Sequence, residues 1–222
     1  MIYQTTKCSL HNHPEFQLSC DNPTIPEQDI NWLVNHLETE VANGVVFLND
    51  EFIQIGCMLT KVVATNQYYQ LFEPDMIAMP VNFTNSIANT LKHFRQQKDI
   101  CESITISESI DYPSLRESII VSDSFESSTA YYFNREARED HQSGWFFRDI
   151  NQSDEQSFTQ ISLYEFACSR PDLIKFLALP VGYSVLKREQ DIFRVIANES
   201  EITPHHDSFL AAINAALSQA TL

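Results

Sequence analysis

Two groups of side chains have the types that bind metals or activate nucleophiles. Cys8, His11, His13 and Cys20 place four soft or borderline ligands within thirteen residues. Zinc takes such ligands tetrahedrally, but structural sites pair them at short turn spacings with a second pair farther along, and here that second pair is Cys20 alone. His205, His206 and Asp207 stand at the expected start of the last helix. Adjacent helical residues point about 100° apart, so both imidazoles cannot face one ion. A nucleophile needs a neighbouring base and a third group to orient it. No GxSxG elbow occurs, and Ser143-Gly144-Trp145 lacks the strand-turn-helix frame that would expose a serine. Carboxylate pairs such as Glu38 with Glu40, or Asp149 with Asp154, are no denser than 30 acids produce by chance. With four glycines the chain carries neither GxGxxG nor GxxxxGK[ST], which disfavours the common nucleotide-dependent enzymes. The expectation is a protein without a catalytic set, cofactor or metal, and not an enzyme.

Charge says more than any motif. The 222 residues carry 14 Lys plus Arg against 30 Asp plus Glu, a formal net charge of -16. Nucleic-acid binding, which relies on clustered cations against phosphate, is thereby disfavoured. The acids are not a tail: residues 1–116 hold 14 acids and 6 bases, residues 117–196 hold 13 and 8, and the remainder adds three acids. From residue 27 to 51 there are six acids and no Lys or Arg. Such a surface promotes solubility, and it also steers association with a basic protein. The acids expected to face that partner are Glu38, Glu40, Asp50 and Glu51 in the first half, and Glu136, Glu139, Asp140 and Asp149 in the second.

The elements that must position these acids follow from periodicity. Ile30, Leu33, Val34, Leu37 and Val41 repeat at helical spacing behind Pro26, with Gly44 as a stop. VVFL (45–48), a turn at Asn49-Asp50 and FIQIGCML (52–59) read as a hairpin, and YYQLF (68–72) as a third strand. One short strand is expected within residues 1–25, and a second helix over 85–98. The polar, proline-bearing stretch 107–118 is read as a domain boundary or a long surface connection. Beyond it, SIIVSD (118–123), YYF (131–133) and GWFF (144–147) read as strands, and a helix begins at Leu163, breaks at Pro171 and resumes through Leu173, Ile174 and Leu177. VGYSVL (181–186) and IFRVI (192–196) form a closing hairpin, and a last helix carries Phe209, Leu210, Ile213, Ala216 and Leu217 on one stripe that could dock on either half or make a homodimer. The fold class is α+β, two small, mainly antiparallel sheets with packed helices and a C-terminal helix. The expected division is 1–106, 117–196 and a C-terminal helix over 197–222. The apolar runs are too short to span a bilayer and the start has no apolar stretch of signal length, so a cytoplasmic location is expected. Five widely spaced cysteines suit reduced, mostly buried thiols.

Ile120-Val121-Ser122-Asp123, Tyr132, Arg135-Glu136, Ser143-Gly144-Trp145 with Phe147, Asp154-Glu155, the Leu163 helix, Pro171-Asp172-Leu173-Ile174 and Leu179-Pro180-Val181-Gly182 follow one another in an order that resembles a bacterial immunity-protein domain of polymorphic toxin systems, the SGW-containing kind. The resemblance covers roughly residues 118–190. It implies a cytoplasmic protein that binds and neutralises a cognate antibacterial toxin delivered by a type VI or contact-dependent system, by covering the toxin's active site. An effector adaptor or chaperone, or an enzyme reversing a toxin's modification through His141 or the Cys8-His11-His13 group, are the alternatives. Within the motif Gly144 suits a tight turn or close backbone approach, Trp145 suits core packing, and Arg135 to Asp140 read as a charged hairpin end.

Overall fold

The computed structural model describes residues 1–77, 79–106, 110–152, 156–189 and 191–220. They form an α+β fold with two mostly antiparallel sheets. Contacts divide the chain into two compact units, Met1–Arg95 and Gln96–Leu222, and the division falls inside one helix.

In the first unit, α1 (Glu27–Ala42) starts behind extended Pro26, has Glu27 and Asp29 at the positive end of its dipole, and stops at Asn43-Gly44, where Gly44 takes a positive φ. Its stripe of Ile30, Leu33, Leu37 and Val41 is buried with Phe16, Leu18, Val62 and Leu71 of the sheet. Each such side chain contributes about 1.5–3 kcal/mol of burial. The N-terminal segment supplies two strands rather than one, β1 (Ile2–Gln4) and β2 (Phe16–Ser19). The hairpin is β3 (Phe52–Ile55) and β4 (Met58–Ala64), followed by β5 (Tyr69–Pro74) and the short β6 (Phe83–Thr84). The strand order is β1-β2-β5-β4-β3, with β6 on β5 and β2 parallel to β5. The expected hairpin over VVFL is thus displaced. The chain reverses at Gly56-Cys57, where Gly56 supplies a positive φ, while Val46 and Leu48 lie exposed outside any strand.

Helix α2 (Ala88–Ser103) crosses the division. The second unit is a seven-stranded sheet: β7 (Ser118–Ser122), β8 (Tyr131–Arg135), β9 (Gln142–Asp149), β10 (Phe158–Ser162), β11 (Tyr183–Lys187), β12 (Arg194–Ala197) and β13 (Ser200–Ile202), in the order β10-β7-β9-β8-β11-β12-β13. Only the β7–β9 pairing is parallel among these strands. Burial alternates strictly along β8 and β9. Tyr131, Phe133, Trp145 and Phe147 fill the inner face, where α3 (Leu163–Ser169) inserts Phe166 against Phe133 and Phe147. Ser162 caps α3 by accepting the Glu165 N–H. The helix expected to resume after Pro171 is a single 3-10 turn, Ile174–Phe176, because proline bars helical geometry from the residue before it and Arg170 leaves the helix there. Helix α4 (Phe209–Ala220) docks within this unit through buried Leu210 and through Asn214, whose amide exchanges two hydrogen bonds with the Phe193 backbone. Of the stretch 107–118, residues 107–109 lie outside the described residues, while Leu115 is buried.

Candidate protein-binding site

The acid-rich connection between β8 and β9 is held from beneath. Arg135, the last residue of β8, is fully buried rather than part of a solvated hairpin end. Its guanidinium donates to the Asp111, Leu177 and Leu179 carbonyls at 2.6, 3.0 and 2.6 Å and to the Asp111 carboxylate at 2.8 Å. Burial pushes its pKa down to about 10 against the opposing pull of Asp111, so it remains a cation at neutral pH. Arg138 reaches the other oxygen of Asp111 at 2.5 Å and Glu117 at 3.3 Å. Above them Glu136 N–H donates to Gly144 O, Gln142 N–H to Glu139 O, and Ser118 N–H to His141 O. Gly144 sits at φ +76°, and a Cβ there would overlap the Glu136 carbonyl oxygen. Six residues with five charges are therefore fixed at one end of the sheet rather than left as a loose loop. Glu136, Glu139 and Asp140 are exposed there, with Arg138 turned back to Asp111 and Glu117.

The other expected acids divide into two kinds. Glu38 is buried, takes the Thr6 N–H at 2.7 Å and the Lys7 ammonium at 2.8 Å. Burial alone would push its carboxyl up, but the Lys7 and Thr6 bonds together outweigh it and hold the group below its ordinary range. Asp149 is buried too: it accepts from Ser124 Oγ at 2.7 Å and Asn151 N–H at 2.9 Å, closing the turn after β9. These two carboxylates are buried and bonded within the fold, whereas the charge pattern predicts them at a partner-facing surface. Glu40 is half-buried at the end of α1. Asp50 and Glu51 are exposed, the first paired with Lys61 at 2.6 Å and the second accepting the Leu48 N–H at 2.8 Å. Asp154 and Glu155 lie outside the described residues.

The motif residues converge on two buried arginines that periodicity alone did not flag. Trp145 stacks on Phe133 with centroids 4.0 Å apart and donates its indole N–H to Leu177 O at 3.1 Å. Leu179 O accepts from the Arg135 guanidinium, and Gly182 N–H donates to the Arg135 backbone carbonyl at 2.8 Å, so the LPVG segment is tied to both the side chain and the backbone of Arg135. Arg170 is the second: it forks onto Asp172, donates to the Phe125 and Ser128 carbonyls, and lies over the Tyr131 and Phe147 rings. The available signal was the repeated placement of an Arg beside a turn motif, Arg135-Glu136 and Arg170-Pro171-Asp172.

The outward face of the sheet holds an open basin of about 800 Å³ lined by Tyr132, Arg148, Leu186, Arg188 and Glu189. It brings the cations Arg148 and Arg188 to one face of a unit that is acidic in total. At the N-terminus, His13 is a core residue: Nδ1–H donates to Pro14 O, Nε2 accepts the Phe47 N–H, and the ring stacks on Phe16. Both ring nitrogens are thus engaged. Cys8 and Cys20 are buried and His11 is exposed. Among the described residues no three His, Cys, Asp or Glu side chains converge as a metal site. His205 Nε2 meets Thr105 Oγ1 at 2.7 Å, and His206 pairs with Asp207 on the surface.

Comparison with known protein families bears on the unit that carries these arginines. Residues 96–198 match the Imm33-like domain. This is an immunity-protein-like family, and the match takes in the whole path from the second half of α2 to the end of β12, including Asp111, Arg135, Gly144, Trp145, Arg170 and Gly182. It begins at the residue where contacts divide the chain. No curated protein and no solved structure matches the chain. No helix among the described residues is long and apolar enough to cross a membrane.

Proposed function

We propose that this protein is an immunity protein that binds a cognate antibacterial toxin in the cytoplasm and neutralises it by covering its active site. The match of residues 96–198 to the Imm33-like domain is the observation that carries the reading. The binding face that fits best is the pinned β8–β9 connection, with Glu136, Glu139 and Asp140 directed at a basic surface of the toxin. Glu40, Asp50 and Glu51 add to the negative field of the first unit taken by itself. Acids held by a rigid backbone lose little freedom on binding, so their charge acts on association rate and partner choice. Occlusion requires an interface of about 1,600 Å² and no chemistry by the immunity protein itself.

Growth of cells expressing the toxin encoded beside this gene tests the reading. Co-expression of the chain should restore growth at equimolar levels and the two proteins should co-purify. Reversing Glu139 and Asp140 to Lys should slow association by about tenfold at low salt and less at high salt. A chain that neither rescues growth nor co-purifies would refute the proposal, and rescue far below equimolar levels would point to turnover instead of occlusion.

A further inference from the structure

The seven-stranded sheet ends in an edge that is open in a patterned way. Strand β10 (Phe158–Ser162) pairs only with β7, from Phe158 opposite Ser122 to Ser162 opposite Ser118. Just outside that run Asp123 N–H donates to Ser157 O at 3.2 Å, and Leu163 N–H donates to Glu117 O at 2.8 Å. Opposed residues of an antiparallel pair alternate between bonded and non-bonded positions. With the 157/123 and 163/117 pairs bonded, Thr159 and Ile161 turn their N–H and C=O groups to β7. Phe158, Gln160 and Ser162 then turn their N–H groups, and Phe158 and Gln160 their C=O groups, to the open edge. No other described strand lies there.

Edges of this kind are normally blunted by charge, proline, a bulge or short length. The opposite edge obeys: β13 (Ser200–Ile202) is three residues long and carries Glu201. β10 is FTQIS, five residues with no charge and no proline, in unbroken register. Phe158, Thr159 and Gln160 are exposed, and Phe158 packs on Phe146 at 4.9 Å to make an apolar pad on the outward face beside the edge. Exposed Asp123 stands at one end of the strand and exposed Glu165 just past the other.

We infer that β10 is a docking edge that accepts an extended segment of the toxin as an eighth strand, with an apolar side chain over Phe158 and Lys or Arg near its ends to meet Asp123 and Glu165. Main-chain bonds to Phe158 and Gln160 supply register, and the pad and acidic ends supply selectivity. The inference rests on the proposed toxin partnership. A second copy of this chain fits less well: antiparallel self-pairing centred on Gln160 would set Asp123 of one copy near Glu165 of the other, between molecules of net charge -16.

Amide exchange of the ¹⁵N-labelled full chain, alone and with the toxin encoded beside its gene, tests this. In the free chain Thr159 and Ile161 should exchange slowly and Phe158 and Gln160 fast. In the complex Phe158 and Gln160 should slow by at least about tenfold, removing the alternation. Gln160→Pro deletes an outward N–H and leaves the backbone ladder to β7 in place, losing only the side-chain bond from Gln160 Nε2 to Ser118 Oγ. Edge strands tolerate proline at such a position, and the complex should weaken about tenfold. A complex that forms with Phe158 and Gln160 still fast would overturn the docking edge and leave the immunity reading standing. Absence of any complex and of any rescue would overturn both. Protection that grows with concentration of the chain alone would assign the edge to a second copy and overturn the toxin segment. The wild-type exchange pattern decides among these even if Gln160→Pro fails to fold.

Discussion

Replacing Arg135 by Met is the sharpest test of why this unit holds its shape. The substitution keeps an unbranched apolar stem against Trp145 and removes the donors. Leu177 O would keep the Trp145 indole N–H, and the Asp111 carboxylate would keep Arg138 and, at 45 % exposure, water. The Asp111 and Leu179 carbonyls have no other hydrogen-bond partner among the described residues, so two acceptors would be orphaned. At about 1–3 kcal/mol for each unsatisfied buried group, the loss is about 2–6 kcal/mol, centred near 4. With a urea slope of about 2 kcal/mol per molar, the unfolding midpoint of the second unit should fall by about 2 M. Fluorescence of Trp145 reports it, in a Trp32→Phe background because Trp32 belongs to the first unit. Arg138→Met is the control: its ion pairs are partly exposed, and it should cost under about 1 kcal/mol. A midpoint for Arg135→Met within about 0.25 M of wild type, or equal to that of Arg138→Met, would refute the account of Arg135 as the anchor.

Gly144→Ala should lower the same midpoint by about 1 M or more, because it adds a Cβ at positive φ against the Glu136 carbonyl; an unchanged midpoint would mean the connection relaxes freely. Acid sensitivity of the first unit should trace to Glu38 and Glu15, whose carboxyls sit below the ordinary value of 4.5 once burial is offset, by Lys7 and Thr6 for the former and by Thr5, Ser9 and Cys8 for the latter. A depressed folded value means the stability is fully present above about pH 4.5 and is lost as pH falls through the folded values. Thermal melts from pH 6 to pH 3 should show this, and Glu38→Gln should start lower at pH 6 and fall less steeply; parallel curves for the two proteins would exclude Glu38 as a source.

Much of the local structure was legible because it depends on short-range rules. The α1 stripe and its Gly44 stop, the alternation in YYF and GWFF, and the strands of the closing hairpin all emerge as expected, since periodicity and turn chemistry act over a few residues. The hairpin after α1 was misplaced because VVFL has the composition of a strand while the conformation that turns the chain resides in Gly56. The site was less legible. Glu38 and Asp149 look like their neighbours Glu40 and Asp140 in a linear chain, yet each finds its donors through the fold: Thr6 lies 32 residues from Glu38, and Ser124 lies 25 from Asp149.

The sequence by itself determined an acidic α+β chain, the positions of most helices and strands, and a second half whose motifs resemble those of an immunity domain, where residues 96–198 match the Imm33-like domain. Tertiary structure alone decided which charges are surface and which are interior. Arg135 and Glu136 are adjacent, but alternation along β8 turns the first into the core beneath LPVG and leaves the second outside. It also decided which strand has an unpaired edge, because β10 follows β9 in the chain but pairs with β7, leaving its other side without a neighbour among the described strands. Burial and pairing are properties of what lies across the fold, and no local spacing encodes them.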